Sequence, residues 1–155
     1  MTQGADERGN MTRKSKVKDY IYQPEYECLS RSEMEALQSE RLKKTVKLVY
    51  ENCAPYRAKM DAAKLTPEDI KSVADLHKLP FTVKHDLREA YPFGFYSAPQ
   101  RDMVEIHASS GTTGKLTVVG YTQNDIDVWS EVAARSLAMT GVTKDSIVHV
   151  AYGYG

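Results

Sequence analysis

The fold of this chain is decided by a short polar stretch, Ser109-Ser110-Gly111-Thr112-Thr113-Gly114-Lys115. It follows an alternating, strand-like run over residues 103–108 and precedes a second such run over residues 117–121. Glycine lets the backbone turn at positive φ, so a small polar loop between two strands exposes successive N–H groups. Such groups form a concave site of positive partial charge, and the hydroxyls and the lysine add further donors. The stretch predicts a phosphate-binding loop, with an ordinary hairpin loop as the alternative.

The loop differs from the Walker phosphate loop. That motif needs a glycine five residues before the Gly-Lys pair and a Ser or Thr directly after the lysine. Those positions hold Ser109 and Leu116 here, and the segment that follows has strand character instead of helical character. The pattern therefore disfavours a P-loop nucleotide hydrolase.

The stretch resembles the phosphate loop of the acyl-adenylate-forming superfamily, and within it the phenylacetate–CoA ligases. The resemblance runs from about Tyr20 to the last residue, and five blocks match in order. One departure is Leu116, where the family usually has proline, and we expect a less preorganised loop exit as a result. The matching blocks are residues 79–82, 91–94, 106–115, 117–122 and 151–155.

The resemblance implies an ATP-dependent, AMP-forming ligation of phenylacetate to coenzyme A through a phenylacetyl-adenylate, with Mg²⁺ accompanying the ATP. It implies that Ser109, Ser110, Gly111, Thr112, Thr113, Gly114 and Lys115 hold the ATP phosphates. It also places Tyr152, Gly153 and Tyr154 near the aryl pocket. The family's catalytic lysine and its adenine-binding motifs lie downstream, so we expect an N-terminal fragment that is inactive alone. The alternative is a non-catalytic association module that pairs with a separate C-terminal part.

Composition narrows the function classes. The chain has 155 residues, with 21 basic and 21 acidic side chains and 41% hydrophobic residues. The balanced charge gives no case for nucleic acid or a membrane surface as partner, and no apolar run reaches a membrane-spanning length. Cys28 and Cys53 lie in no metal or redox motif, and the scattered histidines suggest no metal site. With no apolar leader, we expect a cytoplasmic protein, and the family makes a homodimer a reasonable expectation for the full-length enzyme.

The expected fold class is α/β, as an incomplete part of an adenylate-forming large domain. We expect a disordered tail over residues 1–19, a mostly helical region over 20–98, and the start of a truncated nucleotide-binding subdomain over 99–155. The last region should contain a β-loop-β element followed by a β-α-β element, whose final strand, Ile147–Ala151, would be buried beside a parallel partner.

Helix signals fix the expected boundaries within this plan. Ser32 and Glu35 form a capping-box pattern for a helix that runs to about Asn52 and ends at Pro55. Further helices should begin after Thr66, Thr82 and Thr122, and the last of them should place Trp129 in the core and end at Gly141, a left-handed C-cap.

Overall fold

The computed structural model describes residues 21–109 and 116–151. The predicted tail, the loop residues Ser110–Lys115 and the predicted pocket residues Tyr152–Tyr154 lie outside the described residues.

The first part of the described chain is mainly helical, and an antiparallel hairpin and a long helix follow it. The helices are α1 (Pro24–Glu27), α2 (Arg31–Asn52), α3 (Ala54–Ala62), α4 (Lys84–Glu89) and α5 (Gln123–Met139); the strands are β1 (Met103–Ala108) and β2 (Val118–Thr122). Three short 3₁₀ helices cover Pro67–Asp69, Val73–Lys78 and Gln100–Asp102. The predicted α/β class and the β-loop-β element are confirmed.

Helix α2 begins two residues earlier than predicted. Ser30 is its N-cap: the Ser30 N–H donates to Glu33 Oε2 at 2.8 Å, and the Glu33 N–H donates to Ser30 Oγ at 3.3 Å. The predicted box of Ser32 and Glu35 is wrong, because two overlapping Ser-x-x-Glu patterns occur here and the earlier one yields the longer helix. Glu35 instead pairs with Arg31, one turn before it, at 2.6 Å.

Pro55 does not end α2. The chain leaves the helix at Cys53, whose backbone is extended, and Pro55 lies in the first turn of α3. A proline in that position sacrifices no hydrogen bond, since first-turn N–H groups have no partner within the helix. The proline therefore starts a helix where the sequence suggested that it stops one.

The core lies between α2, α3 and the segment that follows them. Val46, Met60 and Ile70 are almost completely buried there, and Met60 has no exposed surface. Five partly buried side chains pack around these three: Leu42, Tyr50, Tyr56, Leu65 and Leu79. The core therefore joins α2 to the turns over 65–80.

Two polar contacts lie in and beside this part of the chain. The Tyr56 hydroxyl donates to the Pro80 carbonyl at 3.1 Å. Asp75, in the second 3₁₀ helix, accepts a 2.7 Å contact from the Lys78 ammonium, which with nearby backbone N–H groups lowers the pKa of Asp75 to about 2. The predicted start of the next helix is wrong by one residue. Helix α4 begins after Val83, not Thr82, and the Val83 N–H donates to the Asp86 carboxylate at 2.7 Å.

Helix α5 follows β2 without a connecting loop, as predicted. Thr122 ends the strand and caps the helix: its N–H donates to Asp125 Oδ2 at 2.8 Å, and the Asp125 N–H donates to Thr122 Oγ1 at 3.3 Å. Beyond the helix, Gly141 has a φ of 88°, which is the left-handed conformation expected of a glycine after a helix. The hairpin and α5 are thus one continuous unit.

The predicted final strand is not formed among the described residues. Ile147, Val148 and Val150 have exposures of 101%, 51% and 76%, and the segment pairs with neither β1 nor β2. A run of β-branched residues has strand propensity, but a strand also requires a hydrogen-bonding neighbour. The predicted β-α-β element with its parallel pair is therefore wrong for this structure, whose described sheet is the antiparallel hairpin.

Candidate functional site

The ends of the predicted phosphate loop are joined by two hydrogen bonds. The Ser109 N–H donates to the Thr117 carbonyl at 3.0 Å, and the Thr117 N–H donates to Ser109 Oγ at 3.1 Å. These bonds extend the hairpin by one step beyond the Ala108–Val118 pair. The segment between them is therefore held at both ends by the same two strands.

Ser109 is the predicted phosphate-binding residue that the structure describes. Its oxygen accepts the Thr117 N–H, but a hydroxyl also carries one donor and a second lone pair. Closing the hairpin and donating to a phosphate are therefore compatible for this side chain. The role of Ser109, like those of the six residues after it, stays a prediction.

Thr117 is a candidate that the sequence analysis assigned only to a strand. Its Oγ1 is buried and has no hydrogen-bond partner among the described residues. A buried hydroxyl without a partner costs stability, so a polar group of the loop or of a ligand would be favoured beside it. The sequence feature that could have identified Thr117 is a hydroxyl side chain directly after Leu116, where the loop ends.

A cluster of three rings supports the hairpin on one face. The His107 ring lies 5.0 Å from the ring of Tyr121 and 5.7 Å from that of Trp129, and the last two are 5.3 Å apart. The Glu105 carboxylate is hydrogen-bonded to His107 Nε2. Trp129 remains 48% exposed, so its predicted place in the core is wrong. It contacts the hairpin as an aromatic side chain at the surface, and this contact fixes α5 against β2.

On the hairpin's other face, Tyr96 packs against a glycine. A Cβ placed on Gly120 would lie 2.6 Å from Tyr96 Cζ, 2.7 Å from its hydroxyl oxygen and 2.8 Å from Met103 Sδ. The Tyr96 ring is also 5.2 Å from that of Phe93, and both belong to an aromatic turn over residues 91–96 that precedes β1. Burial raises the pKa of Tyr96. The aromatic turn thus packs on the hairpin.

Two negative findings concern metals and membranes. Over residues 21–109 and 116–151, no three His, Cys, Asp or Glu side chains come together as a metal site would require. No helix in that part of the chain has both the length and the apolar character needed to cross a membrane.

The sequence is similar to part of the sequences of known enzymes. It is 54% identical over 129 residues to the phenylacetate-coenzyme A ligase of Escherichia coli, and 51% identical over 135 residues to that of Thermus thermophilus. These matches cover 83% and 87% of the chain. The chain is a relative of the phenylacetate–coenzyme A ligases. It spans 30% of the length of each of these two enzymes. No protein-family model matches the chain.

Solved structures give the same fold. The chain superposes on 2-hydroxyisobutyryl-CoA ligase, solved with 2-HIB-AMP and CoA in the thioesterification state, with a TM-score of 0.67 and 29% identity over 72% of the chain. An open conformation of that enzyme gives a TM-score of 0.69 at 27% identity over 77% of the chain. The chain covers 25% and 28% of those proteins. These findings favour a ligase origin over the separate association module.

Proposed function

We propose that this chain is the phosphate-loop part of an ATP-dependent, AMP-forming phenylacetate–CoA ligase, and that it has no turnover alone. The observation that carries the proposal is the 54% identity to the Escherichia coli ligase. A continuous match of 129 residues in a 155-residue chain necessarily includes residues 109–115. The hairpin that holds Ser109 and Thr117 together supports a loop role for that segment.

The reaction consists of two displacements. In the first, a carboxylate oxygen of phenylacetate attacks the α-phosphorus of ATP, the bond to the bridging oxygen breaks, and pyrophosphate leaves. In the second, the sulfur of coenzyme A attacks the acyl carbon of the phenylacetyl-adenylate, AMP leaves, and the thiol proton is released. The first step places extra negative charge on the leaving pyrophosphate, so donors near the β- and γ-phosphates accelerate it.

The loop would supply those donors. Backbone N–H groups at Gly111 and Gly114 and the hydroxyls of Ser110, Thr112 and Thr113 would bind phosphate oxygens, and the Lys115 ammonium would neutralise charge. The Ser109 hydroxyl keeps its hydrogen for donation, and Thr117 Oγ1 is a further unpartnered hydroxyl beside the loop among the described residues.

The remaining parts of the proposal follow from the ligase family. Tyr152, Gly153 and Tyr154 would border the aryl ring of the substrate, where a glycine leaves space for a flat group. Magnesium would enter as the counter-ion of ATP. The partners would be small molecules, without nucleic acid or a membrane, and the full-length enzyme would be a cytoplasmic homodimer.

Calorimetric titration of Mg²⁺–ATP into the chain tests the loop assignment. We expect binding in the parent chain, markedly weaker binding in Lys115→Ala, and unchanged binding in Lys144→Ala, because Lys144 is an exposed lysine outside the loop. Absence of ATP binding in a parent chain that circular dichroism shows to be folded would contradict a loop that binds phosphate by itself.

An assay of thioester formation tests the second half of the proposal. The chain is incubated with ATP, coenzyme A and phenylacetate, and phenylacetyl-CoA is measured by chromatography. We expect product at the level of the enzyme-free blank, because the chain spans only 30% of the matched ligases. Product well above that blank would overturn the proposed inactivity.

A further inference from the structure

We propose that a cavity between α1, α2 and α5 binds the phosphate group of an anionic ligand through Arg41 and Arg135. The cavity has a volume of about 370 Å³ and is separate in the chain from the predicted loop. Residues from all three helices form its walls.

Two guanidinium groups from different helices converge on one ring. Arg41 Cζ, from α2, lies 5.5 Å from the ring centroid of Tyr26, and Arg135 Cζ, from α5, lies 5.8 Å from the same point. Neither arginine has a carboxylate within 4.0 Å among the described residues. Arg31, on the same helix as Arg41, differs from both, because its guanidinium pairs with the Glu35 carboxylate at 2.6 Å. The cavity thus holds two full positive charges, and Glu131, the carboxylate in its wall, forms an ion pair with neither arginine within 4.0 Å.

Other donors face the same space. Thr45 and Asn124 line the cavity, and their side chains make no hydrogen bond to other described residues. Lys44 also lines it, although its ammonium pairs with Glu40 at 2.6 Å. The carboxylate of Glu131 opposes anion binding, but the two arginines outweigh it. The donors are therefore arranged for an anion that accepts several hydrogen bonds at once.

Phosphate fits these donors better than a small monovalent anion does. A guanidinium offers two parallel N–H groups that match two oxygens of a phosphate, and a phosphate dianion can engage both arginines together. The aliphatic side chain of Val128 and the ring of Tyr26 provide apolar wall beside the charges. An organic group carried by the phosphate would therefore have a surface to contact.

Titration of the chain with inorganic phosphate, followed by ¹⁵N–¹H NMR, tests this site. The chain carries Lys115→Ala, so that binding at the predicted loop cannot supply the signal, and chloride at matched ionic strength is the control. We expect saturable shifts at the amides of Thr45 and Asn124. Replacing both arginines, as Arg41→Gln with Arg135→Gln, should weaken phosphate binding at least about tenfold, because two charge-assisted contacts are lost.

Two further variants separate a phosphate site from general charge effects. Replacing both arginines by lysine keeps the charges but removes the paired N–H groups, so the phosphate affinity should fall between those of the parent and the glutamine variant. Arg31→Gln removes one exposed charge from α2 outside the cavity and should leave the affinity unchanged.

The phosphate titration tests the cavity alone, because it varies Arg41 and Arg135. The ligase function is tested separately, by the ATP titration that varies Lys115. Shifts scattered over the surface, or an affinity that the glutamine replacements leave unchanged, would overturn the proposal. If those replacements alter the circular dichroism spectrum, Thr45→Val with Asn124→Leu takes their place. In that pair, weakened binding supports the site and unchanged binding overturns it.

Discussion

Replacing Gly120 by alanine adds one methyl group at the point where the aromatic turn meets the hairpin. The new Cβ would lie 2.6 Å from Tyr96 Cζ and 2.7 Å from its hydroxyl oxygen, distances that real Cβ contacts essentially never show. The third neighbour, Met103 Sδ at 2.8 Å, belongs to a flexible side chain that can rotate away. The Tyr96 ring, in contrast, must move away from β2 as a rigid body.

Two effects of opposite sign set the magnitude. Overpacking a well-packed contact costs about 1–3 kcal/mol. Gly120 is not among the glycines with positive φ, so alanine suits its backbone, and the smaller entropy loss should return roughly 0.5–1 kcal/mol. Because three atoms lie within 3.0 Å of the new Cβ, we place the overpacking cost at about 2–3 kcal/mol. The net effect of Gly120→Ala is then a free energy of unfolding lower by about 1–2.5 kcal/mol.

Urea unfolding followed by the fluorescence of Trp129 measures this change. Trp129 is the chain's single tryptophan and contacts Tyr121, the residue next to Gly120, so it reports on the hairpin. The matched background is Tyr96→Ala, in which the ring is absent and the added methyl group should cost little. The reasoning is refuted if Gly120→Ala costs less than about 0.5 kcal/mol, or if its cost is the same with and without the Tyr96 ring.

Three further predictions concern the helical part of the chain. Met60→Ala should lower the free energy of unfolding by about 2–5 kcal/mol because the side chain is fully buried. Met139→Ala, at an 80% exposed position, should change it little, and thermal unfolding compares the two variants. Ser30→Ala should cost about 1 kcal/mol through loss of the N-cap, and Ser32→Ala should be nearly neutral; equal effects in urea unfolding would contradict the observed cap. The pKa of Asp75 is lowered from 3.8 to about 2, so the stabilising effect of its carboxylate is complete above pH 3.8 and is lost as the pH falls through about 2. Asp75→Asn should therefore flatten the pH dependence of the melting temperature between these two pH values.

Local signals in the sequence predicted the site's framework well. Thr122 and Asp125 specify the start of α5 with their own side chains, and Gly141 specifies the turn beyond its end, so these boundaries depend on a few neighbouring residues. The strand–loop–strand order around Ser109 was likewise predictable, because a Gly- and Ser/Thr-rich stretch between two alternating runs restricts the backbone strongly.

Features that depend on packing partners were not predictable in this way. The run Ile147–Ala151 has strand propensity, but no neighbouring strand hydrogen-bonds to it in the described chain. Trp129 has helical spacing with apolar residues, and only the folded hairpin reveals that His107 and Tyr121 are its contacts. Arg41 and Arg135 converge on one ring although they lie 94 positions apart in the sequence, a relationship that no local pattern encodes.

The two hydrogen bonds between Ser109 and Thr117 close the hairpin where the loop begins and ends, so the loop sequence can change without opening it. The cross-strand pairs from Met103–Thr122 to Ala108–Val118 hold the register of the hairpin together with these two bonds. Lengthening the connection would cost only loop-closure entropy, which grows slowly with the number of residues. Substitutions within the loop should therefore leave the strands on either side unchanged.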